Sequence, residues 1–233
     1  MSSEFKLEDR CQVDLFEQML ERYLETSTGK PLKHIPLGAV FDACQKHQAG
    51  GKIFTAFLDL QINLALLWQD VVRIKDEWNR HFGGKKSPQD GSILDSQENF
   101  DGKMQVHRHL NSFVLRYRAV WDKLMGVYIL THAPERYDEF RGSKSRKRQF
   151  SKIAQETPTL GAFGDQVVQQ LKEFDDKYRT PEAHDFGRLR KWTLSMLPIS
   201  DQKNPILTIV DFWNRLNDQV ATIGQHFHKH EEG

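Results

Sequence analysis

The chain has 233 residues, enough to bury a full core in one or two domains. Its 33 basic and 32 acidic side chains leave a formal net charge of +1, so no global field calls for nucleic acid or a membrane and any basic site must be local. The two cysteines, Cys11 and Cys44, form no CxxC or knuckle spacing, which predicts a cytoplasmic protein with reduced thiols rather than a disulfide scaffold.

Taken in chain order, the first ten residues are charged and lack the apolar run of a signal peptide. Short N-terminal helices are expected at about 5–26 and 37–48. Ile53, Phe57, Leu60, Leu64, Leu67, Val71, Ile74 and Trp78 then step by three and four, predicting a long helix over about 52–82 that Gly83-Gly84 ends. Gln61, Asn63, Gln69 and Asp70 make this stretch too polar for a bilayer span. A linker is expected from Gly83 to Gly91. Val106, Leu110, Phe113, Tyr117, Val120, Leu124 and Val127 form the next stripe, ending near Ala133-Pro134. Tyr117, Trp121 and Tyr128 read as core on it. A short helix is expected at 146–156. Further helical stripes follow at Leu160 to Tyr178 and Ile206 to Phe227. A short helix at about 182–196 and a linker from Pro198 to Pro205 separate these two.

No run alternates with a strand period, so the fold class is all-α. Seams of this kind belong to nearly antiparallel packed helices, and residues 1–233 are expected to form a single antiparallel helical bundle. The familiar equipment of metalloproteases, kinases, dehydrogenases and serine hydrolases is missing: there is no HExxH, phosphate-cradling glycine loop, dinucleotide fingerprint or GxSxG.

Four groups of polar residues could carry chemistry. His107-Arg108-His109 lies on the second long helix and reads as a solvated face. Arg141-Gly142-Ser143-Lys144-Ser145-Arg146-Lys147-Arg148 places five cations in eight residues, and no acidic residue occurs from Arg141 through Gln155. Such density suits contact with a phosphate backbone, and Arg188 and Arg190 add charge further on. Between these lies Arg179-Thr180-Pro181-Glu182-Ala183-His184. Thr180 before Pro181 reads as a helix start. That break would leave Arg179 free to swing toward His184, with the positive helix end nearby. The planar guanidinium suits phosphate, and a neutral imidazole can take a proton from a ribose 2′-hydroxyl. In the competing reading Arg179 pairs with Asp176 or Glu182. Finally, His226 and His230 share a helical face, but no cluster completes a metal site. No cofactor and no metal is expected.

From Trp121-Asp122-Lys123-Leu124, through Arg146-Lys147-Arg148-Gln149-Phe150-Ser151-Lys152-Ile153, to Tyr178-Arg179 and His184, the order of elements resembles the HEPN superfamily, in particular its bacterial members. The resemblance spans about residues 118–197. It implies an α-helical HEPN-like core over about 52–197, with extra N-terminal helices (5–48) and a C-terminal helix (206–230). Many members are metal-independent endoribonucleases of toxin or phage-defence systems. They use an Arg-x4-His motif, often at a homodimer interface, and some have an antitoxin or regulator as partner. Others are catalytically inactive interaction modules. Carried over, the motif residues are Arg179 and His184, with Arg141, Lys144, Arg146, Lys147, Arg148, Arg188 and Arg190 as RNA contacts. The position after the arginine, commonly Asn, Asp or His in active members, is Thr180 here.

Overall fold

The computed structural model describes residues 9–29, 37–46, 49–82, 97–181 and 205–229. Every regular element among them is helical, without a strand. Helix α1 spans Arg10–Thr28. It starts where the Asp9 carboxylate accepts the Gln12 N–H at 2.8 Å, and it stops where Gly29 turns left-handed, φ 63°, a conformation that costs a glycine little. α2 is Leu37–Gln45, with its first N–H donated to the Glu17 carboxylate of α1 at 3.0 Å. The long helices α3 (Gly50–Phe82) and α4 (Gln97–His132) follow. A single 3-10 turn, Pro134–Arg136, leads into α5 (Tyr137–Gly142), α6 (Arg146–Glu156) and α7 (Gly161–Phe174). A π-helical turn at Asp175–Arg179 extends α7, and α8 is Pro205–Lys229.

The predicted long helices are present at nearly their expected bounds, and 146–156 is reproduced at both ends. The expected helix at 182–196, the linker at 83–91 and the first residues of the N-terminal helix lie outside the described residues. Two corrections arise. The periodicity missed the 3-10 turn and α5, because a helix of six residues is too short to display a repeat. The expected helix start at Thr180 is not there: its backbone is helical, φ −66° and ψ −48°, and its N–H reaches the Asp175 carbonyl five residues back. Pro181 has no N–H for the Lys177 carbonyl and its ring crowds that carbonyl. The widened π turn just ahead of the proline accommodates this without breaking the helix.

The contacts divide the chain into two compact units. The first comprises Met1–Ala65, Ala119–Val168 and Leu216–Gly233. Its interior includes Phe57, Leu60, Leu64, Trp121, Leu124, Ile153, Val167 and Leu216. Tyr128 stacks near Phe163, centroids 3.8 Å apart, and donates its hydroxyl proton to the Gln219 carbonyl at 3.3 Å. The second comprises Leu66–Arg118 and Gln169–Arg215. Here α3 and α4 run antiparallel, since Asp70 meets Ser112 while His81 lies against Gly102. Tyr117, Phe174, Tyr178 and Phe212 form a continuous ring cluster, with Tyr117 and Phe174 centroids 4.2 Å apart. Aromatic contacts of this geometry add to the area each ring buries. Tyr117, Trp121 and Tyr128 are core, as their stripe predicts. No described helix is long and apolar enough to cross a membrane.

Candidate functional site

The basic run forms a corner between α5 and α6. α5 carries Asp138 and Glu139 in its first turn and Arg141 in its last, the charge order that a helix dipole favours. The chain leaves it through Ser143 in extended backbone, and the Ser143 hydroxyl accepts the Ser145 N–H at 3.2 Å. α6 then opens against the usual rules. Its N-cap Ser145 makes no side-chain capping bond, its first turn holds no acid, and Arg146, Lys147 and Arg148 occupy that turn. Cations at the positive end of a helix are electrostatically unfavourable. The apolar side of α6 holds the helix in place regardless: Phe150, Ile153 and Ala154 are buried. Gly164 of α7 lets it approach so closely that a Cβ there would sit 2.3 Å from the Ala154 Cβ.

Two carboxylates nearby, Glu139 and Glu156, are already engaged. Arg136 pairs with Glu139 at 2.6 Å and Glu156 at 2.8 Å, and Gln149 also donates to Glu139. The Arg136 bond is the main reason that Glu139 stays below the usual carboxylate range. Arg141, Lys144, Arg146 and Arg148 have no carboxylate partner among the described residues, and Arg141, Lys144 and Arg148 are exposed. Lys147, half-buried, makes interactions of its own.

The second predicted feature lies in the other unit. Arg179 closes the π turn with its side chain 49% exposed and meets the Asp175 carboxylate at 3.6 Å. Among the described residues the partner is thus Asp175, one turn back, rather than Asp176, while Glu182 lies outside them. Asp175 is buried and also faces Arg118 of α4 at 3.7 Å. His184, Arg188 and Arg190 lie outside the described residues. The structure thus gathers Arg141, Lys144, Arg146 and Arg148 on one corner and assigns Arg179 to an internal ion cluster. Among the described residues no group of three or more His, Cys, Asp or Glu side chains could hold a metal ion. The side chains of His226 and His228, and His230 altogether, are outside that set.

Sequence reasoning missed the buried charges of the second unit. Asp70 of α3 accepts from the Ser112 hydroxyl at 3.0 Å and pairs with Arg116 at 3.1 Å, while burial pushes its carboxyl up to about 6. Lys103 is 0% exposed, and burial lowers its ammonium to about 8. Both occupy apolar-stripe positions, Asp70 three after Leu67 and Lys103 three before Val106, and that register was the available signal. His107 and His109 are half-buried rather than on a solvated face. Desolvation first, and Arg108 next, lower the His109 imidazole. No known protein family, curated protein or solved structure matches the chain.

Proposed function

We propose that this is a HEPN-like helical-bundle protein that binds RNA through the sugar–phosphate backbone, with the α5–α6 corner as its contact. The observation that carries the reading is the set of four cations, Arg141, Lys144, Arg146 and Arg148, left without carboxylate partners among the described residues. Glu139 and Glu156 are committed to Arg136, in a chain whose formal net charge is only +1. A polyanion offsets the unfavourable field at the start of α6 and meets several donors at once. In the same reading Arg188 and Arg190 extend the contact, a homodimer or a regulatory protein completes the assembly, and no cofactor takes part.

A cleaving form of this function uses Arg179 to stabilise charge on the phosphate and His184 to move the 2′-hydroxyl proton. The Arg179–Asp175 pair favours the non-cleaving form, because a carboxylate competes with phosphate for that guanidinium. The test is fluorescence anisotropy with labelled single-stranded RNA over a salt series, beside an RNA-cleavage assay in EDTA. Four backbone contacts give a log–log salt slope of about −3. Arg146→Glu with Arg148→Glu should roughly halve that slope and weaken binding at least about tenfold. An unchanged affinity sinks the binding claim. Cleavage that disappears in His184→Ala establishes the ribonuclease form, and intact RNA with both proteins excludes it.

A further inference from the structure

Arg136 ends the 3-10 turn ahead of α5, and its guanidinium reaches two carboxylates on different helices. Its Nε donates to Glu139 of α5 at 2.6 Å, and its Nη1 donates to Glu156, which ends α6, at 2.8 Å. The arginine side chain is 26% exposed, so this bridge is more enclosed than the two acids it joins. A planar fork suits such bridging, and a lysine ammonium does not reproduce it. Glu139 also faces α6: it accepts from Gln149, and Lys152 approaches it at 3.9 Å. Arg146 lies three residues before Gln149, so the two are neighbours on the surface of α6. The fold thus sets a carboxylate beside Gln149, one helical turn along from Arg146. Exposed ion pairs add little to stability. The consequence of this one is the charge it cancels next to the basic corner.

We infer that Arg136 is a positioning residue of the RNA-contact corner: it neutralises Glu139 and holds that carboxylate back from Arg146, so the cations of the corner stay open to the RNA backbone. This rests on the RNA reading of the corner. Two carboxylates occupy the Arg136 guanidinium from either side, so it acts through Glu139 rather than on phosphate. Without Arg136, Glu139 keeps its place against Gln149 but loses its strongest counter-charge. The cations then nearest to it are those of α6, Lys152 first and Arg146 a turn further on. A carboxylate there competes with phosphate for the same donors, and it repels a polyanion over a range of about 10 Å at moderate salt. A proton does not do the work of the arginine. The bond from Arg136 is the first cause that holds Glu139 below the usual carboxylate range, and Gln149 and Lys152 act in the same direction. Glu139 therefore stays ionised at neutral pH, and a cation must cancel it.

A double-mutant cycle on the full chain tests it, read by RNA anisotropy and, in parallel, by the salt at which each variant elutes from heparin. Arg136→Ala should weaken binding at least about threefold and flatten the salt slope. Adding Glu139→Gln should restore both to within about twofold of the wild type. Adding Glu135→Gln instead, an equal change of charge on the same 3-10 turn, should not. Glu139→Gln alone should bind as tightly as the wild type or more tightly. A double variant that Glu139→Gln does not rescue overturns the inference, because Arg136 then contacts the RNA itself or only holds the fold. Equal rescue by Glu135→Gln overturns it too, leaving net charge as the whole effect, and so does weaker binding by Glu139→Gln alone. In each of these cases the RNA reading stands. A wild type that binds heparin but not RNA sinks the RNA reading, and the cycle on heparin still decides the role of Arg136. Binding to neither overturns both.

Discussion

Arg146 and Arg179 are both arginines at a helix junction, and their surroundings divide them. Arg146 stands in an uncapped first turn with Lys147 and Arg148, and the nearby Glu139 and Glu156 are held by Arg136. Arg179 is half-exposed too, but it closes a turn whose first residue, Asp175, is buried between it and Arg118. Positive charge alone does not make a binding site. What matters is whether the fold has already supplied the counter-charge. The α5–α6 corner leaves its cations without a carboxylate partner among the described residues, and at the π turn Arg179 and Arg118 of α4 both face a buried carboxylate.

Removing Asp175 is the hardest test of that contrast. Asp175→Ala takes from Arg118, whose side chain is 12% exposed, the carboxylate that it faces at 3.7 Å, and breaking a largely buried pair costs up to about 3–5 kcal/mol. Urea unfolding should show a loss of that order, while Arg179→Ala costs about 1 kcal/mol or less because its ion pair is half in solvent. Equal losses from the two would mean that Arg179, not Arg118, is the structural partner. At the corner the weak point is packing rather than charge. Gly164→Val places a branched side chain where even a Cβ sits 2.3 Å from Ala154, a strain of about 1–3 kcal/mol. Ala154→Gly in the same chain should recover most of it. No loss on Gly164→Val would show that α6 is held by something other than that close approach.

The helices were legible because the apolar residues that form them recur every three or four positions, from Ile53 to Trp78 and from Val106 to Val127. The basic run was legible because its eight residues are contiguous. The pairing of Arg136 with both Glu139 and Glu156 was not, since the second partner is 20 residues away and only the turn through α5 brings it close. The π turn was hidden for a different reason. Thr180-Pro181 carries the composition of a helix start, and a widened turn ahead of proline satisfies the same local chemistry. Lys103 and Asp70 were overlooked because charged residues are ordinarily assigned to the solvated face, although their register put them on the buried one.

Those two buried groups give the contrast its smallest and most directional test. A buried carboxylate is easier to protonate in the folded chain, so Asp70, at about 6 when folded against an ordinary 3.8, binds a proton in the native state first. Between those values the folded state holds more protons than the unfolded one, and stability falls as pH rises. The stability difference between wild type and Asp70→Asn should therefore shift toward the wild type as pH drops from about 6 to about 4. Lys103 works in the opposite sense. Its folded value near 8 lies below the ordinary 10.5, so the unfolded state holds the extra proton and stability rises with pH across that window. Thermal melts of the wild type, Asp70→Asn and Lys103→Met in matched buffers resolve both slopes. A wild-type minus Asp70→Asn difference that is flat from pH 4 to 6, or a Lys103 slope of the wrong sign, would place these charges in water and remove the distinction between the interior of the second unit and the exposed corner of the first.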